Sequence, residues 1–222
     1  MGPIKLLTLS ALALFAIGAL SAFAADNAGT VDQQGNHNRG ASAQQGYENE
    51  HRTYQKGHEN QAQNYQEGTT NLGVLEQNGN KNQQTAFQKG MNNQLNVSQK
   101  GHDGRADLHQ EGNGNLADIT QKGNGHQVIG KQHSESNRMT LSQQGKENIL
   151  DVRQYGPGNQ VTAEQSGHDH QATAVQSGSD NLLLIQQVGH TNAILLEQQG
   201  VMDAASVHQN GNNHTVTISQ GQ

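Results

Sequence analysis

The chain has 222 residues, with 13 Lys and Arg against 19 Asp and Glu, 12 His, no Cys and no Trp. A net charge of −6 with no basic cluster excludes a phosphate-neutralising nucleic-acid binder, and the absence of cysteine excludes a disulfide framework or a thiolate zinc site. Three Phe and four Tyr against 27 Gly leave too little apolar surface for a conventional core, so order must come from pattern.

The N-terminus comes first. Lys5, an apolar run over 6–20 and Ala22-Phe23-Ala24 predict a signal peptide over 1–24, cleaved after Ala24. The run is short for a membrane span and no basic flank follows it, so no span is expected after cleavage. Residues 25–222 are expected to form one repeat domain. From Gln33 to Gln220 every eleventh residue is Gln, eighteen in all, without insertion or deletion. A Gly stands two residues after each from Gln33 to Gln209, except at Ser134, and Asn is favoured five residues after.

Each unit reads Asn-x-h-x-h-x-Gln-x-Gly-x-x, with h apolar. In Asn159-Gln-Val161-Thr-Ala163-Glu-Gln165 the alternation predicts a strand with Asn, Val, Ala and Gln inward. Ser166-Gly167-His168-Asp169 is expected to be the turn, with Gly supplying the permissive backbone. Glycine in nearly every unit argues against helix.

Units 22 apart resemble each other more than units 11 apart. Strand, turn, strand, turn therefore makes one rung, and nine rungs make an all-β, parallel, in-register solenoid rising roughly 43 Å at about 4.8 Å per rung. Its thin core is expected to include Leu95, Val97, Ala117, Ile119, Leu141, Val152, Ile185 and Ile218. One inward amide ladder would run through Gln33, Gln55, Gln77, Gln99, Gln121, Gln143, Gln165, Gln187 and Gln209, and another through Asn49, Asn71, Asn93, Asn115, Asn137, Asn159 and Asn181. The matching turn glycines are Gly35, Gly57, Gly79, Gly101, Gly123, Gly145, Gly167, Gly189 and Gly211. Gly104, His126, His170, Asp203 and His214 depart from the Asn rule. The first rungs carry His51, Asn64 and Gln84 at inward positions and are expected to order last, a difference that hydrogen exchange reads. With no polar cap in the pattern, both ends are expected to expose strand edges that template another copy.

Few features stand outside the repeat. His168 and His190 fall on adjacent rungs at one corner and are the only metal candidates raised, against an ordinary solvated corner. Leu182, Leu184 and Leu195 should point outward and offer a lateral or nucleating contact. Gly112-Asn-Gly114-Asn-Leu-Ala117 matches a dinucleotide fingerprint but lacks its strand-to-helix setting. No catalytic constellation and no cofactor site is expected.

Gln110-Glu-Gly112-Asn-Gly-Asn115-Leu-Ala117-Asp-Ile-Thr-Gln121 resembles the curlin repeat of bacterial curli subunits, and the likeness runs through 25–222. The resemblance implies a β-solenoid functional amyloid on the outer surface of a Gram-negative-type bacterium, serving biofilm matrix and adhesion. It also implies self-association into a homopolymer fibre, a second curlin-type subunit, and a curli-type secretion pore with chaperones. This chain has more repeats than the usual curli subunit, and its strand pattern starts at Asn27, where the family carries a targeting segment. The alternative reading is a monomeric solenoid that binds ice or carbohydrate. The mixed outward row Arg52, Val74, Asn96, Asp118, Thr140, Thr162, Leu184, Ser206 weakens it.

Overall fold

The computed structural model describes residues 19–23 and 26–221. The described residues form nineteen strands and no helix. β1 spans Ala19–Phe23. β2 to β10 span Ala28–Asn36, Arg39–Tyr47, Glu50–His58, Gln61–Thr69, Leu72–Asn80, Gln83–Met91, Gln94–His102, Arg105–Asn113 and Leu116–Asn124. β11 to β19 span Gln127–His133, Arg138–Lys146, Ile149–Tyr155, Gln160–His168, Gln171–Ser179, Leu182–His190, Ala193–Val201, Ala204–Asn212 and Thr215–Gly221. Odd strands form one parallel sheet in chain order and even strands the other. Every pairing joins residues 22 apart, such as Gln121↔Gln143 and Ala117↔Met139. The fold is thus the two-sheet solenoid expected from the 22-residue period.

The signal peptide expected over 1–24 lies outside the described residues except for β1, which pairs with β3 as Ala19↔Ala41. From β2 onward the alternation decides the faces. Val161, Ala163 and Gln165 are buried on β14 while Gln160 and Glu164 are exposed. From Leu95 onward the inward positions build a continuous aliphatic core that includes Val97, Ile119, Leu141, Val152 and Ile185, with Ile218 partly buried against it. Before Leu95 the core thins to Ala62, Leu75 and Ala86, and other inward positions hold Ser42, His51, Thr53, Asn64 and Gln84, all buried. Ser42 Oγ, both amide atoms of Asn64 and Gln84 Oε1 have no hydrogen-bond partner there, and buried polar groups in that state cost about 1–3 kcal/mol each.

The corner differs from the expected four-residue turn. β14 runs on through Ser166, Gly167 and His168, so the predicted turn glycines lie within the strands. The chain reverses at the next residue, which sits in the left-handed region: Asp169 at φ 59° and Glu147 at φ 54° are examples. The corner N–H keeps the ladder going, since Asp169 N donates to Lys146 O at 3.1 Å. Glycine is required for two reasons. Gly145 has φ 115°, and a Cβ there would overlap the carbonyl oxygen of Gly167 on the next rung.

Ser134, which stands where the internal repeats carry Gly, sits at φ 93°. Its strand, β11, stops at His133, two residues short of the nine in most strands. β13, stacked on it, also stops short at Tyr155, because Pro157 has no N–H to donate. Ser134→Gly is expected to raise stability by about 1 kcal/mol by relieving a strained backbone. Gly145→Ala is expected to lower it by at least about 2 kcal/mol. Guanidinium unfolding of the refolded variants checks both, and equal effects at the two sites would remove the backbone explanation.

Candidate functional site

The features with functional reach are the two kinds of stacking column inside the solenoid and the outward faces of its sheets. In the even sheet the Gln column runs from Gln33 to Gln209. Each Nε2 donates to the Oε1 of the Gln 22 residues ahead, as in Gln99 to Gln121 at 2.7 Å and Gln121 to Gln143 at 2.8 Å. The second Nε2 hydrogen crosses the core to a carbonyl of the facing strand, as in Gln121 to Arg105 O at 3.1 Å. A matching column runs through the odd sheet from Gln44 to Gln220. Inside the columns both donors of such an amide are therefore used, one along the axis and one across the core, as at Gln121.

The asparagines at the corners act differently from the expected side-chain stack. The Oδ1 of each accepts the backbone N–H of the Asn 22 residues ahead, as Asn137 Oδ1 does from Asn159 N at 3.0 Å. Its Nδ2 holds the carbonyl of the corner one rung on, as in Asn93 to Gly112 O at 2.8 Å and Asn159 to Gly178 O at 3.0 Å. Amide-to-amide bonds such as Asn71 to Asn49 at 3.0 Å occur in the early rungs as well. The Asn thus ties down the carbonyl that the neighbouring glycine frees.

The departures from Asn keep this logic. His126 Nε2 meets Lys122 O at 3.0 Å, and its Nδ1 faces Asn148 N at 3.3 Å. His170 repeats the arrangement with Ser166 O at 3.1 Å and Asn192 N at 3.2 Å. A carbonyl can only accept and a backbone N–H can only donate, so each imidazole must be neutral with its proton on Nε2. Burial holds both rings below the ordinary imidazole range. His51, packed inward beside Thr53, is pushed by burial down to about 4. Where Gly104 replaces Asn, its N–H still bonds Asn82 Oδ1 at 3.0 Å.

On the outer faces, Leu182, Leu184 and Leu195 are exposed as expected, at 51%, 45% and 43%. They do not form one patch, because β16 belongs to the even sheet and β17 to the odd one. Leu182 and Leu184 border a shallow apolar groove with Thr162 and Ser206. His168 and His190 stack face to face, centroids 5.0 Å apart and planes 2° apart. Their in-plane lone pairs run parallel rather than toward one point.

Sequence reasoning missed a ring column on the odd sheet. Tyr65 stacks on Phe87 at 5.1 Å, Phe87 on His109 at 4.6 Å, and His133 on Tyr155 at 5.4 Å. Between His109 and His133 the column shifts from the residue before Gln to the residue after it, at 5.3 Å and a 36° tilt. The 22-residue spacing of Tyr65, Phe87 and His109, and of His133 and Tyr155, was the available signal. The fingerprint-like Gly112–Ala117 stretch is an ordinary corner between β9 and β10.

A family model described as the curlin associated repeat matches residues 101–129, 156–189 and 189–221. No curated protein matches the chain. The matched segments lie in the part of the solenoid with the aliphatic core.

Two outcomes are expected. Gln121→Leu strips the acceptor from Gln99 and the donor from Gln143, two orphaned groups at about 1–3 kcal/mol each, so hydrogen exchange should speed up in the rungs on both sides. Loosening confined to the rung of Gln121 would mean that the column carries no coupling. The second concerns pH. His51, His126 and His170 have folded values below the ordinary 6.5, so the unfolded chain binds protons first. Their contribution is complete above about 6.5 and falls as pH drops from there toward the folded values. Guanidinium midpoints should decline over that interval. Replacing both His126 and His170 by Asn, the residue the repeat uses there, should flatten the decline, and an unchanged profile would count against the imidazoles.

Proposed function

We propose that this chain, a curlin-repeat protein, is a structural subunit of an extracellular functional-amyloid fibre that grows by stacking rungs end to end. The supporting observation is the repeat of identical, directional bonds at every rung. Each rung offers parallel backbone edges, Gln donors toward one end of the axis and Gln acceptors toward the other. A second copy stacked head to tail would extend the same ladders without new chemistry, giving a heterologous, open-ended assembly. Val216 and Ile218, at the inward positions of β19, are only partly buried, whereas their counterparts Ile194 and Leu196 one rung earlier are buried. A following rung would cover them.

On this reading the fibre lies on the outer bacterial surface and serves biofilm matrix and adhesion, as the curlin repeat implies. A second curlin-type subunit and a secretion pore with chaperones belong to the same reading. The leucines on opposite faces of neighbouring strands supply lateral contacts between fibres through both sheets.

The chain from residue 25, diluted from denaturant, should form dye-binding fibres with a reflection near about 4.7–4.8 Å along the axis. Preformed fibres should shorten the lag. Replacing Leu184 and Leu195 by Ser should leave elongation intact and reduce lateral bundling. A soluble monomer that persists at high concentration would overturn the fibre reading.

A further inference from the structure

We propose that His109, Glu111 and His133 form a binding site for a divalent transition metal of the zinc or copper class on the outer face of the odd sheet. His109 and Glu111 stand two residues apart on β9, so both project outward. His133 lies on β11 directly beside Glu111 in the parallel register. Each of the three offers one ligand atom within 4.8 Å of the other two. Both rings already approach the same carboxylate oxygen: His133 Nδ1 is 3.4 Å and His109 Nε2 3.8 Å from Glu111 Oε2.

A tetrahedral ion with metal–nitrogen bonds of about 2.0–2.1 Å places its ligand atoms about 3.3 Å apart. Side-chain rotation alone closes that difference, because the three side chains are 36%, 49% and 34% exposed. Two imidazoles and one carboxylate suit zinc, copper or nickel, with water completing the shell. The ring tilt of 36° between His109 and His133 departs from the flat stacking above and below them. His168 and His190 lack that convergence.

The flanking charges are few. Lys131 pairs with His109 in the register, and Lys89 pairs with Glu111. Lys89 is 3.8 Å from Glu67. Beyond Lys131, Arg153 is engaged by Asp151 at 2.8 Å. Burial, and then the neighbouring His133, hold His109 below its ordinary value, which keeps it available as a neutral ligand. The site spans the junction where β11 ends early: His133 is its last residue, next to Ser134. A bound ion would therefore cross-link β9 to β11 where the ladder is cut short.

The test titrates the refolded full chain with Zn²⁺ alone, by calorimetry at neutral pH. One saturable equivalent per chain is expected. His109→Gln and His133→Gln should each weaken it by at least the about tenfold that loss of an outer-shell partner costs. A His168→Gln, His190→Gln double variant should leave it unchanged. Zn²⁺ should also slow hydrogen exchange in β9 and β11 of the parent chain and of the double variant, and fail to do so in His133→Gln. These positions face outward, so circular dichroism should report an unchanged fold in each variant. Absence of a saturable equivalent, its survival without His133, or its loss in the double variant would overturn the proposal.

Discussion

Everything in this solenoid depends on one constraint: an inward amide is affordable only if its equivalent on the next rung completes its hydrogen bonds. A buried amide left unpaired costs about 1–3 kcal/mol, and each rung buries several. Strict 22-residue register resolves this, because it sets Gln beside Gln and corner Asn beside corner Asn at the spacing of parallel strands. A one-residue slip would turn every inward side chain outward. The polar columns therefore hold the register, and the aliphatic residues between them exclude water.

The corner is governed by the same repetition. The glycine has a positive φ, and the space a Cβ would need is taken by the next rung's backbone. Its carbonyl is then captured by an Asn Nδ2 of the preceding rung. The glycine and the asparagine are two halves of one device, which explains why they share a period. Ser134 shows what happens when one half is altered: its strand shortens while the corner bonds persist, as in Asn115 Nδ2 to Ser134 O at 2.8 Å.

The period, the two sheets and the inward faces were legible because each follows from spacing alone: Gln every eleventh residue, apolar residues alternating, Gly two beyond Gln. The corner was misread because glycine signals a permissive backbone without saying whether it lies in the turn or in the strand before it. The Asn bonds were misjudged for a related reason, since the pattern shows that equivalent residues meet but not whether side chain or backbone answers. His126 and His170 looked like losses from the column, and only the ring nitrogens' partners reveal them as substitutes for Asn. The ring column escaped notice because its shift at His133 breaks the 22-residue spacing by two positions.

The columns also have a direction. Each column Gln donates toward the C-terminal rungs, so the two directions along the solenoid axis are chemically unlike. The packing is unlike as well: the early rungs bury Ser42, Asn64 and Gln84, while the late ones bury Leu183, Ile185 and Leu196. In the proposed fibre, each junction would set the polar early rungs of one copy against the late rungs of the next, whose inward Val216 and Ile218 are only partly buried. Keeping the Gln columns continuous through that fibre would require joining the early rungs of one chain to the late rungs of another, head to tail.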